Sequence, residues 1–231
     1  NSLLREQRAD RILAADAADG FGQNAGAAQL ANLVAGGCIA AQPSDALKKA
    51  QPHAGELADY VRYLLALSYG GQGKAEQVVA TLKNFGKDTP ESVFARDVVD
   101  IYGNALVATG KAQEAIAFLE ENRSPTRADV ELALGRAYVN AGQQAKGGEI
   151  LRHLYITMPS SAEADAAGAD VRSLEASGVL PPPVYGERKQ RATLLTQANK
   201  FADAAREYKA LIPDAPPEER PALQVALGSA L

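Results

Sequence analysis

Residues 65–82 read LALSYGGQGKAEQVVATL, an apolar run from Leu65, a glycine-rich break with a lysine, and a second apolar run ending at Leu82. Two readings compete for this stretch. A phosphate-binding loop requires two glycines five positions apart, then Lys and Ser or Thr, so that backbone N–H groups cradle phosphate and the hydroxyl holds magnesium. Here those positions fall on Ser68, Gly73, Lys74 and Ala75, so two of the four specifying residues fail. A dinucleotide fingerprint fails as well, because Glu76 stands where a third glycine belongs after Gly71 and Gly73. The stretch therefore reads as a corner between two helices. Gly73 ends the first in a left-handed conformation, and Lys74 faces solvent at the start of the second.

Taken as a corner, Gly73 aligns with Gly110 in LVATGKAQEAIAFL, Gly142 in YVNAGQQAKGGEIL and Asn199 in LLTQANKFADAAREY. Asn is the natural substitute for Gly at such a site, because its short polar side chain tolerates positive φ. Seven residues before the four anchors stand the small residues Ala66, Gly103, Gly135 and Ala192; five after stand Val78, Ala115, Gly147 and Ala204. Nine after stand the bulky Leu82, Leu119, Leu151 and Tyr208. Pro90, Pro159 and Pro216 follow seventeen after their anchors, with Pro125 two positions early in the second unit. Proline there suits the start of a following helix.

This order resembles the tetratricopeptide repeat. The anchor spacings of 37 and 32 residues bracket the family's period of about 34. The resemblance implies an all-α fold, a right-handed α-superhelix (solenoid) of tetratricopeptide-like helical hairpins. Gly142 and Asn199 lie 57 apart, and the excess holds an extra helix-like segment, SSAEADAAGADVRSLEAS, followed by GVLPPPVYG. Pro181 to Pro183 favour extended backbone, which predicts a stiff connector.

Three segments follow: irregular N-terminal helices over 1–55, repeats plus the extra helix over 56–179, and connector, further repeat and an incomplete one over 180–231. In the first, helices are expected at Leu3–Ala18, Ala25–Ala35 and Ser44–Ala50. In the last, EERPALQVALGSAL reads as the first helix of another repeat, so Leu231 is expected to be a seam to a following domain or a cut boundary. Asn1 likewise reads as a processed or cloned start.

Hydrophobic residues make up 46% of the 231-residue chain but aromatics only 6%, with no Trp. The core must therefore be built mainly from Ala, Leu and Val, which suits closely packed helices. A formal net charge of −4 with no long basic block gives no electrostatic footprint for nucleic acid or an anionic membrane. No apolar run approaches the roughly 20 residues of a bilayer span. The single cysteine, Cys38, provides no internal disulfide and no thiolate metal site. LANLVAGGC before it faintly resembles a lipoprotein cleavage site, but it lacks the continuous apolar stretch that such a site follows.

Candidate chemistry is sparse. In TPESVF, a Glu-Ser pair such as marks the catalytic acid of one group of peptidoglycan-cleaving enzymes, Thr89 reads instead as an N-cap, Pro90 as the first helical residue and Glu91 as a charge favouring the helix start. His53 and His153 lie 100 residues apart and form no metal-ligand spacing, so neither metal nor cofactor is expected. No pair of carboxylates stands out as a glycosidase acid and base.

A solenoid of this kind offers a concave face, lined mainly by the first helix of each repeat. By the repeat's convention the inward positions include Tyr60, Tyr63, Asp97, Asp100, Asn104, Asp129, Arg136 and Asn140. Tyr63, Asn104 and Arg136 are the candidate contacts, since a phenol, an amide and a guanidinium each make directed interactions. Only Asn104 fits the clamp with which some tetratricopeptide domains hold peptide C-termini.

A more specific resemblance covers roughly Glu56 to Leu231. Leu154, Tyr155, Pro159, Ser160, Ser161 and Glu163 ending one repeat, the Pro-rich connector and a new repeat from Arg191 are similar to the α-superhelical N-terminal region of bacterial soluble lytic transglycosylases. That resemblance implies a periplasmic protein of cell-wall turnover, in which a downstream catalytic domain cleaves the MurNAc–GlcNAc linkage and the superhelix helps place the glycan. It implies no catalytic residue within this chain, which is expected to be a non-catalytic scaffold. Its partners would be that catalytic domain of the same polypeptide and peptidoglycan or an envelope protein, with no nucleic acid and no membrane insertion. The alternative is a stand-alone tetratricopeptide adaptor for protein–protein interaction in the cell envelope.

Overall fold

A computed structural model describes residues 43–124 and 126–231. The helices expected at Leu3–Ala18 and Ala25–Ala35, together with Cys38 and Pro125, lie outside the described residues. Among the described residues all regular structure is helical. No helix among the described residues is long and apolar enough to cross a membrane. The chain divides into two compact units after Gly110, a division different from the three segments read in the sequence.

The first unit contains α1 (Pro43–Ala50), α2 (Ala58–Gly71), α3 (Ala75–Leu82), the single-turn α4 (Phe85–Asp88) and α5 (Val98–Ala108). The second contains α6 (Ala112–Glu121), α7 (Ala128–Asn140), α8 (Gln144–Thr157), α9 (Ala164–Ala176), α10 (Tyr185–Gln197), α11 (Phe201–Leu211) and α12 (Arg220–Ser229). Helices α2 and α3, α7 and α8, and α10 and α11 pack as sequential pairs.

All four anchors adopt positive φ: Gly73 at 70°, Gly110 at 77°, Gly142 at 80° and Asn199 at 58°. At three of them the residue after the anchor closes the corner by donating its N–H five residues back, Lys74 to Tyr69, Gln143 to Tyr138 and Lys200 to Leu195, each at 2.9 Å. This bond satisfies a carbonyl that the helix end would otherwise leave unpaired. Gly178, at φ 76°, ends α9 with the same bond, from Val179 to Leu174. The small and bulky positions counted from the anchors are all buried. Where the pair α7 and α8 crosses, Gly135 and Gly147 bring the backbones together, since a Cβ on Gly147 would stand 2.5 Å from the Gly135 carbonyl oxygen.

Two arginines close their pairs in the same way. Arg62 of α2 donates to the Thr81 and Lys83 carbonyls at 3.2 and 3.1 Å and to Asp88 at 3.1 Å. Arg188 of α10 donates to the Ala210 carbonyl at 2.8 Å and to Asp214 at 2.7 Å. Both guanidiniums thus satisfy carbonyls at the end of the second helix of the pair. Elsewhere in the second unit, Glu131 is only 2% exposed and is held by Arg123 through two bonds of 2.6 and 2.9 Å.

Two local expectations are corrected. Thr89 does not start a helix; its hydroxyl bonds the Phe85 carbonyl at 2.8 Å, closing α4, and residues 90–97 form turns before α5 begins at Val98. Ser92 Oγ accepts the Phe94 N–H at 3.2 Å, a local bond that competes with helix formation. The turns seat the Phe94 ring against Tyr60 and Tyr63, with centroids 5.3 and 4.8 Å away. Nor do Pro90, Pro159 and Pro216 open helices; prolines stand in the first turn elsewhere, Pro43 in α1 and Pro221 in α12. The connector after α9 has no regular structure over 181–184. It is anchored by Leu180, buried against Gly148, and by Arg152, which donates to the Pro181 carbonyl.

Candidate functional site

The structure separates the three candidate contacts. Tyr63 is a core residue, 3% exposed and stacked on Phe94, so its expected role on an open face is corrected: the ring is consumed by packing within the first unit. Asn104 is exposed on α5. Arg136 is committed to Asp170 of α9 at 2.7 Å. Among the other inward positions, Tyr60 is buried beside Phe94, Asp129 pairs with Arg127, and Asn140 donates to the Arg136 carbonyl at 2.8 Å. Asp97 and Asp100 are half-buried.

A different group of residues converges in the second unit. Helices α8 to α11 border a solvent-open cavity of about 300 Å³ lined by Tyr155, the turn Pro159–Ser161, Asp165 of α9, Arg191 of α10 and Lys200, Asp203, Arg206 and Glu207 at the start of α11. Its fixed element is Arg191. The residue is 7% exposed, and its guanidinium lies 3.7 Å from the centroid of the Tyr155 ring, donates to the Tyr155 carbonyl and pairs with Glu207 at 3.0 Å. A planar cation stacked on an aromatic face and forked onto two oxygens has little freedom to move. The Tyr155 ring in turn lies against Gly168, where a Cβ would come within 2.5 Å of the ring edge.

Around that floor the polar groups divide into satisfied and uncommitted ones. Arg206 pairs with Asp203. Ser161 Oγ is buried with no hydrogen-bond partner among the described residues, and leaving such a hydroxyl unpaired costs about 1–3 kcal/mol. The Asp165 carboxylate and the Lys200 ammonium, both exposed, form no side-chain hydrogen bond or ion pair with a described residue. The cavity thus presents one free charge of each sign and a buried hydroxyl, an arrangement suited to a small polar ligand. Among the described residues no cluster of three potential metal ligands occurs.

Tyr155, Pro159, Ser160, Ser161 and Arg191 enter the sequence reading only as residues that end one repeat and begin another. One signal does mark the site. Eight residues before the anchors stand Leu65, Tyr102 and Leu134, and then Arg191. A buried cation occupies a position that the other units fill with an apolar or aromatic side chain.

In comparison with known proteins, no protein-family model, no curated protein and no solved structure matches this chain.

Proposed function

We propose that this chain is a non-catalytic helical-repeat scaffold of a soluble lytic transglycosylase-like protein. It acts in peptidoglycan turnover in the periplasm, holding glycan or a partner in place for a catalytic domain of the same polypeptide. The observation that carries the repeat reading is the closure shared by two helix pairs. Arg62 and Arg188 each stand eleven residues before a left-handed anchor, and each holds an aspartate fifteen residues after it. Equivalent caps at one register in two separate pairs support a repeated hairpin, since both pairs finish their helix ends in the same way. The cell-wall assignment rests on the resemblance over Glu56 to Leu231.

Co-sedimentation of the purified chain with peptidoglycan sacculi tests this reading. The scaffold should pellet with sacculi and be released by soluble glycan strands. A chain that stays in the supernatant at low and physiological salt, yet captures an envelope protein, would instead establish the adaptor function.

A further inference from the structure

We propose that the cavity around Arg191 binds a small zwitterion, a free amino acid or a dipeptide, with Lys200 receiving its carboxylate and Asp165 its ammonium. The inference goes beyond the scaffold reading and does not depend on it. Within the lining, the other charges are already matched: Arg191 to Glu207 at 3.0 Å, and Arg206 to Asp203. Matched pairs leave little net field for a ligand of either sign, so a polyanion or polycation gains little here. The two groups left over are an ammonium and a carboxylate, whose complement is a molecule carrying the opposite two charges. Ser161 Oγ, buried and unpartnered, adds a donor and acceptor for a ligand amide or carboxylate.

Size and rigidity point the same way. A volume of about 300 Å³ lies at the small end of ligand sites and accommodates a few heavy atoms of each ligand end, not a folded partner. The Arg191–Tyr155 stack, seated on Gly168, forms a wall that does not have to reorganise on binding. A preformed wall spares the ordering cost that otherwise weakens small-ligand affinity.

The test follows amide chemical shifts of the intact chain during titration with alanine, dialanine, N-acetyl-dialanine and dialanine amide. Alanine or dialanine, whichever is the natural length, should shift residues 159–165 and 200–207. Blocking either end of dialanine should weaken binding about three- to tenfold, as should Asp165→Asn and Lys200→Met, for loss of one charged contact. Asp165→Asn should also no longer distinguish dialanine from its N-acetyl form. If neither zwitterion shifts these residues, if the blocked forms bind equally to the wild-type chain, or if N-acetylglucosamine binds there instead, the proposal is overturned. The blocked probes act on the unmodified chain, so they decide even if a variant is misfolded.

Discussion

Arg188 and Asp214 stand 26 residues apart in sequence and 2.7 Å apart in space, and Arg62 and Asp88 repeat the same separation of 26 residues at 3.1 Å. The carboxylates are largely exposed, at 61% and 54%, so the ion pairs themselves contribute little, about 0–1 kcal/mol. The carbonyls that each guanidinium satisfies matter more. Arg62→Ala and Arg188→Ala should each destabilise their unit by about 1–2 kcal/mol, with Asp88→Asn and Asp214→Asn costing less. Urea unfolding of the four variants in low and high salt checks this. If the aspartate variants prove as damaging as the arginine variants, and salt abolishes the difference from wild type, the capping account fails.

The approach of α7 to α8 gives a second prediction. Gly147→Ala raises intrinsic helix propensity by up to about 1 kcal/mol, but its Cβ would lie 2.5 Å from the Gly135 carbonyl oxygen and 2.8 Å from the Val139 nitrogen. Those are backbone atoms, which cannot swing aside. The overpacking cost of roughly 1–3 kcal/mol should therefore prevail, and the midpoint of urea unfolding should fall. An unchanged or higher midpoint would mean that the two helices separate without penalty.

The four corners allow a purely backbone test. Nothing lies within 4 Å of a Cβ added at Gly142, whose φ is 80°. Gly142→Ala should cost about 1–2 kcal/mol through the left-handed conformation alone. Asn199, already at φ 58°, should tolerate Gly with a change of less than about 1 kcal/mol. Thermal unfolding of both variants reads the contrast; equal effects at the two positions would show that they are not equivalent corners.

These corners are legible in the sequence because positive φ restricts a position to Gly or Asn, and the restriction recurs at matched registers. Burial of the small and bulky positions follows from the same count. The Arg–Asp closures are harder to read. They link residues in different elements, and the middle units carry Val99 and Glu131 where the first and last carry Arg62 and Arg188. The turns at 90–97 escape the pattern for another reason: Thr-Pro-Glu opens many helices, but here Phe94 packs on Tyr63 instead of joining a helix face. Tyr63 itself fails as a groove residue because the repeat convention predicts direction, not what an irregular neighbouring segment will cover. The cavity depends on a stacking of residues 36 positions apart, Tyr155 and Arg191, which only the break in apolar register at Arg191 announces.

Glu219, which precedes α12, accepts from Lys189 Nζ at 2.5 Å and from the Tyr185 hydroxyl at 2.7 Å, tying the start of α12 to α10. The Lys189 hydrogen bond, with that from Tyr185, holds the Glu219 carboxyl below its ordinary value of 4.5. The same carboxylate raises Lys189 above 10.5, and loss of solvent together with the bond to Glu219 raises Tyr185 above 10.0. A depressed carboxyl stabilises the fold above its unfolded value and loses that contribution as pH falls through its folded value; a raised ammonium or phenol loses its contribution as pH rises through its folded value. The advantage of the wild-type chain over Glu219→Gln in melting temperature should thus be flat through neutral pH. It should shrink below about pH 4.5 and again above about pH 10.5. High salt should reduce it throughout, because the groups are only half-buried and remain open to screening. A difference that persists unchanged into acid would show that Glu219 acts through packing or shape and not through its charge.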